Sequence, residues 1–215
     1  VLTPIQDGAI GPTLEGRDII GLASTGSGKT AAFLIPLIQK IYNQRFQKAL
    51  IIVPTRELAL QIRDELRIFA EGMGIISALI IGGANIKRQI QDLRRNPNFL
   101  IATPGRLKDL VEGRAVNLFD FQNIVLDEVD LMVDIGFIHD VKFFIQNLPK
   151  VRQSLFFSAT IPLKVEPILH SFVQNPITVS VKKTETVESI DQDVVRYSHP
   201  ADKVDKLHDL LIQKG

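Results

Sequence analysis

Seven short apolar runs recur along the chain, at 18–22, 49–53, 77–81, 99–102, 123–126, 154–157 and 177–181. They are rich in Ile, Val, Leu and Phe and lack polar alternation, the pattern of strands covered on both faces in a mainly parallel sheet. Between them the period lengthens. Over 57–69, Leu58, Ile62, Leu66 and Phe69 recur on one helical face while Arg63, Asp64 and Arg67 point elsewhere. Helices are also predicted at 31–41, 138–148 and 163–173, and Pro36 is expected to kink the first of these. Buried strands alternating with helices imply right-handed crossovers and an α/β fold with helices on both faces of the sheet.

The pattern lapses after Val181. Residues 182–193 are polar and charged and read as a linker. A strand at 194–197 and an amphipathic helix at 203–213 follow, too little to bury a core of their own. The expected organisation is therefore one α/β domain over 1–181, a linker, and the start of a second domain over 194–215.

Composition narrows the class further. With no cysteine, neither disulfides nor a thiolate metal site can contribute. The apolar runs are far shorter than the roughly 18–20 residues a membrane span requires, and the first residues show no secretory pattern. A cytoplasmic protein without membrane contact is expected. The formal net charge of +1 falls well short of what a protein held to nucleic acid mainly by charge would carry. With no tryptophan and two tyrosines, a stacking platform for single-stranded bases is not expected either. Any nucleic-acid contact must be local and directed at the backbone.

Directly after the first apolar run stands Ala23-Ser24-Thr25-Gly26-Ser27-Gly28-Lys29-Thr30, leading into a helix. Strand, glycine-rich loop and helix in that order form a phosphate-binding loop. Its glycines let backbone N–H groups turn inward around a polyphosphate, Lys29 reaches the β- and γ-phosphates, and the Thr30 hydroxyl is a Mg²⁺ ligand. Ala23 stands where the general pattern has glycine. The bland alternative is a glycine-rich turn carrying a surface lysine.

The fifth run ends in Asp127-Glu128-Val129-Asp130, which puts three carboxylates at the C-terminal edge of the sheet, where ligands of open α/β sheets bind. Asp127 suits a Mg²⁺ partner, through water, and Glu128 can orient or deprotonate an attacking water. Taken alone, such a cluster is more often a solvated turn.

With these residues in view the chain resembles the DEAD-box helicases, whose naming signature Asp-Glu-Val-Asp is similar to, with Val129 in the alanine position. Ala23 also matches that family's loop. Thr3-Pro4-Ile5-Gln6 resembles the adenine-reading motif, Pro54-Thr55-Arg56-Glu57-Leu58-Ala59 the first RNA motif, and Gly82-Gly83 and Thr103-Pro104-Gly105-Arg106 the next two. Ser158-Ala159-Thr160 resembles the coupling motif, and Asp134-Ile135-Gly136-Phe137 with Asn147-Leu148-Pro149 the intervening stretch of bacterial-type members. The resemblance runs from Leu2 to about Pro162 and implies a RecA-like P-loop NTPase domain.

It further implies an ATP- and Mg²⁺-dependent RNA helicase that separates short duplexes locally. Gln6 would read the adenine edge, since a carboxamide offers one donor and one acceptor. Arg56, Gly83, Thr103, Gly105 and Arg106 would hold RNA by its sugar-phosphate backbone, and Asp130 would bond the Ser158 and Thr160 hydroxyls. Arginine fingers and half of the nucleotide cleft belong to the family's second domain, so this chain alone is expected to bind ATP weakly and hydrolyse it slowly. Because valine favours extended backbone, Val129 is expected to leave the strand end intact and ATP binding retained, at a packing cost of about 1–3 kcal/mol unless its neighbours adjust.

Two rival readings stand beside this one. The loop and the acidic motif alone fit motors that act on DNA, and a non-catalytic RNA clamp would use binding without turnover. Bland readings also exist for single residues: Gln6 as a polar residue at a helix start, Thr103-Pro104-Gly105-Arg106 as an ordinary strand-to-helix turn, and Ser158 and Thr160 as helix caps.

Overall fold

The computed structural model describes residues 1–181, His199 and 202–213. In chain order the elements are α1 (Pro4–Leu14), β1 (Ile19–Leu22), α2 (Lys29–Asn43), β2 (Ala49–Ile52), α3 (Arg56–Phe69), β3 (Ser77–Ile80) and α4 (Ile86–Leu93). There follow β4 (Phe99–Ala102), α5 (Pro104–Glu112), a 3-10 turn at Leu118–Asp120, β5 (Asn123–Leu126), α6 (Val129–Ile135) and α7 (Ile138–Asn147). The series ends with β6 (Gln153–Ser158), α8 (Glu166–Phe172), β7 (Ile177–Ser180) and α9 (Asp202–Gln213). All seven strands predicted over 18–181 are present, and α2 runs through Pro36 to Asn43.

Every strand pairing among the described residues is parallel, and the order across the sheet is β3-β4-β2-β5-β6-β1-β7. Because the side-chain period of a strand is two, the inner strands feed two cores, whereas edge strand β7 packs only Ile177 and Val179 and leaves Thr178 and Ser180 exposed, against the expectation of cover on both faces. In β2, Ala49 and Ile51 join Phe33 and Leu37 of α2 and Ile62 and Leu66 of α3. Leu50 and Ile52 face the other way, into a core with Leu107 of α5, Met132 of α6, Phe144 of α7 and Phe172 of α8. Burying each such large side chain contributes about 1.5–3 kcal/mol, so both faces are tightly committed. Phe69, expected on the buried face of α3, is instead 37% exposed at the end of that helix.

The helices start where their sequences cap them. Thr55 accepts the Leu58 N–H at 3.2 Å and opens α3, Asn85 accepts the Lys87 and Arg88 N–H groups and opens α4, and Pro104 stands at the first position of α5. The outcome that matters for function is directional. In an all-parallel sheet every strand-to-helix loop leaves the same edge, so the segments after β1, β2, β3, β4, β5 and β6 converge there.

The chain divides into two compact units, Val1–Lys182 and Lys183–Gly215. In the second, α9 covers the helix predicted at 203–213. The predicted linker at 182–193 and strand at 194–197 lie outside the described residues.

Candidate active site

Gly26 and Gly28 adopt positive φ, at 78° and 94°, and curl the loop between β1 and α2 so that Lys29 becomes the first helical residue. A β-carbon on Gly28 would stand 2.5 Å from Nε2 of Gln6. The glycine is thus needed for its backbone angle, and it leaves room for the Gln6 carboxamide where it lies against the loop. Gln6 lies in the first turn of α1, where its Oε1 accepts the Thr3 N–H at 3.0 Å and its Nε2 donates to the Gly28 carbonyl at 3.2 Å. The carboxamide therefore does close the helix start, as its bland reading has it, and it also touches the phosphate loop.

Lys29 is 6% exposed, and its Nζ has no hydrogen-bond partner among the described residues. The Ser27 hydroxyl is likewise buried and unbonded. Asp127, 2% exposed, faces Lys29 at 4.0 Å and accepts the Glu128 N–H at 3.0 Å through Oδ1. Burial pushes the Asp127 carboxyl up to about 7; Lys29 opposes that rise and Glu128 adds to it. A buried cation and anion with so few bonds are costly to maintain without a ligand. Between them and α1 lies a cavity of about 330 Å³ lined by Gln6, Gly26, Thr30, Glu128 and others. A larger depression of about 1060 Å³ against the end of α3 and the start of β3 holds none of these groups.

Glu128 has φ 54° and ψ 50°, the left-handed region, which costs a non-glycine residue about 1–3 kcal/mol and marks functional positions. Thr25 of the loop donates to Glu128 Oε1 at 3.4 Å. This reversal of the chain leaves β5 intact to Leu126 but removes the reason given for it, an extended backbone at Val129. Instead of extending the strand, Val129 is the first residue of α6 and is fully buried, because the left-handed turn at Glu128 redirects the backbone before valine's preference for extended structure can act.

From the second position of α6, the Asp130 carboxylate accepts both the N–H of Thr160, at 2.9 Å, and its hydroxyl, at 3.0 Å. Burial raises the Asp130 carboxyl most, but the two Thr160 bonds, with Ser158 and the Leu131 N–H, together outweigh it and hold the group below its ordinary value. Ser158 is joined differently: its hydroxyl accepts the Asp130 backbone N–H at 3.3 Å and donates to the Thr160 carbonyl at 2.7 Å. Ala159 lies exposed between them.

The remaining candidate residues gather at the other half of the same edge. Pro54 and Thr55 follow β2, and Arg56 extends from the start of α3 onto the turn after β3. Gly83 has φ 75°, and a β-carbon there would lie 2.3 Å from the Arg56 guanidinium, so only glycine admits that contact. No protein group among the described residues accepts a hydrogen bond from the Arg56 side chain. Thr103, Pro104 and Gly105 form the mouth of α5 with open space above Gly105. Arg106 Nη1 donates to the Ala84 carbonyl at 3.0 Å and to Gln89 Oε1 at 3.2 Å. Gln89 carried no signal in the sequence reading: it is a polar residue in a polar helix, and only the sheet order brings it beside Arg106.

Comparison with known proteins decides the family. A model described as DEAD/DEAH box helicase matches residues 3–168. The chain belongs to that family. It is 42% identical over 196 residues to the ATP-dependent RNA helicase CshA of Limosilactobacillus reuteri, an alignment that takes in 90% of this chain and 39% of that protein. It is 41% identical to the DEAD-box ATP-dependent RNA helicase CshA of Streptococcus pneumoniae serotype 4, over 90% of this chain and 37% of that protein. This chain thus spans about two fifths of the length of the helicases it matches. The crystal structure of a hypothetical ATP-dependent RNA helicase from Sulfolobus tokodaii superposes with a TM-score of 0.79 at 34% identity, covering 84% of this chain and 53% of that one. The fold is accordingly RecA-like α/β. No helix among the described residues is long and apolar enough to cross a membrane.

Proposed function

We propose that this chain is the first RecA-like domain of an ATP-dependent RNA helicase, which binds ATP with Mg²⁺ and grips RNA by its sugar-phosphate backbone. The observation that carries this reading is the buried, unbonded ammonium of Lys29 opposite buried Asp127 at the mouth of a glycine-rich loop. A triphosphate would satisfy the orphaned Lys29 and Ser27 groups in one step. The residues also suit Mg²⁺ held chiefly by phosphates and water, because among the described residues no cluster of three or more His, Cys, Asp or Glu could hold a metal on its own. Thr30 and Asp127 would be its protein partners, and the bound ion would neutralise charge on the phosphates. It would also favour the ionised form of Asp127, reversing the effect of burial.

In this reading Glu128 of the Asp-Glu-Val-Asp signature orients and deprotonates the attacking water, while Gln6 exchanges its present bonds for the adenine edge. Ser24 through Thr30 cradle the phosphates. Asp130, bonded to Thr160, would relay changes at the γ-phosphate to β6 and the segment beyond it. Pro54, Thr55, Arg56, Gly83 and Thr103 to Arg106 would hold RNA; the unbonded Arg56 guanidinium over Gly83 is the support for this. Residues 182–193 would link to a second RecA-like domain beginning at 194, which would supply the missing half of the cleft. Val204, Leu207 and Ile212 of α9, at 70%, 55% and 64% exposure, offer apolar surface for such a domain. The cytoplasm is the compartment this reading favours.

The nucleotide part is tested by thermal unfolding of this chain with Mg²⁺ and either ADP or GDP. A ligand bound only by the folded state at about ten times its Kd adds about 1.4 kcal/mol, a rise of about 3–6 °C for a chain of this size. A rise with ADP and none with GDP is expected. Equal rises with both would remove Gln6 as an adenine reader, and no rise with either would remove the nucleotide site.

A further inference from the structure

Helix α4 is polar over most of its surface, and the one buried residue it contributes is Gln89, at 5% exposure. Both ends of that carboxamide are used: Nε2 donates to the Ile81 carbonyl at the end of β3, at 2.9 Å, and Oε1 accepts from Arg106 Nη1 at 3.2 Å. Between Ile81 and Ala84, the other acceptor of Arg106 Nη1, lies the Gly82-Gly83 turn against which Arg56 packs. One side chain on α4 therefore joins the loop after β3 to the arginine after β4. The Arg106 Nε faces Asp109 at 3.7 Å without a hydrogen bond. Its Nη2 donates to no group among the described residues, which leaves that nitrogen for a ligand.

Resting on the RNA reading above, we infer that Gln89 is a positioning residue for phosphate binding, which fixes the Arg106 fork and the Gly82-Gly83 turn in one arrangement. The carboxamide is suited to this because the two partners are of opposite kind, a carbonyl that needs a donor and a guanidinium that needs an acceptor. Methionine has similar length but serves neither. Glutamate keeps the acceptor, places a carboxylate against the Ile81 carbonyl, and neutralises Arg106 where phosphate should meet it. Held by Gln89 and Ala84, Arg106 meets a phosphate without first losing rotamer freedom.

The test is binding of a fluorescein-labelled decauridine and RNA-stimulated ATP hydrolysis by the full-length protein. Gln89→Met is expected to raise the half-saturating RNA concentration about tenfold, the loss of a hydrogen bond to a charged group, with kcat at saturating RNA and the KM for ATP unchanged. In an Arg106→Ala background the same substitution is expected to add less than about threefold, since the Arg106 share of the effect is already lost and only the bond to the Ile81 carbonyl remains to be broken. Should Gln89→Met fail to fold, Gln89→Glu is expected to give the same loss. Wild-type RNA binding by the Gln89 variants beside weakened binding by Arg106→Ala overturns the inference and leaves the RNA reading intact. A further tenfold loss in the Arg106→Ala background overturns it as well. Wild-type binding by both Gln89→Met and Arg106→Ala overturns the RNA reading itself.

Discussion

Glu128→Gln is expected to slow ATP hydrolysis by about 10² to 10⁴-fold, the range for removing a positioned general base, while ATP and RNA still bind. Glutamine keeps the size of the side chain and remains able to accept the Thr25 hydroxyl bond that Glu128 Oε1 now accepts. It also leaves the left-handed backbone at this position, φ 54°, with the same strain. What it loses is the ability to take a proton from water. Phosphate release at saturating RNA measures the loss, and the ADP-induced rise in unfolding temperature should be retained. Unchanged turnover would show that Glu128 serves only to turn the chain into α6.

Lys29→Ala should separate binding from stability in the opposite way. Its ammonium is buried and unbonded, with Asp127 at 4.0 Å as its only ion-pair partner among the described residues. Such a group contributes little to folding, and its removal leaves Asp127, whose carboxyl burial has already pushed up to about 7, free to take a proton. The unliganded variant is therefore expected to unfold within a few degrees of the wild type. The rise with ADP should nevertheless disappear, and hydrolysis should fall by about 10² to 10³-fold or more, as when a preorganised group on the developing charge is lost. A variant that kept the full ADP response would place the phosphates elsewhere.

Legibility followed the range of the interactions involved. The inner strands announced themselves because a strand covered on both faces must be apolar throughout, and β2 and β5 are buried at every position, while the edge strands β3 and β7 alternate in burial. Helix α1 was harder to see, since Gly8, Gly11 and Pro12 break its pattern, although Thr3 and Gln6 close its start. Helix α6 could not be read at all. It depends on the left-handed turn at Glu128, and a rule based on valine's own preference pointed the other way. The phosphate loop, being local, was readable residue by residue. The contacts of Arg56 with Gly83 and of Gln89 with Arg106 were not, because they depend on β3, β4 and β2 lying side by side in an order that the chain sequence does not show. The bond from Thr160 to Asp130 came from family resemblance alone, and geometry now supplies it. The expected second bond, from the Ser158 hydroxyl to the carboxylate, is replaced by one from the Asp130 N–H to that hydroxyl.

The most direct measurement is ATP hydrolysis by the full-length protein without nucleic acid, with single-stranded RNA, and with DNA of the same sequence. Stimulation by RNA of at least about tenfold, with little by DNA, is the result this account predicts, because only RNA offers 2′-hydroxyls beside the phosphates that Arg56, Gly83 and Thr103 to Arg106 are proposed to hold. Equal stimulation by DNA would contradict it and favour a motor that reads phosphates without regard to the sugar. Hydrolysis indifferent to both would contradict it more deeply, leaving a nucleotide site with no nucleic-acid rim.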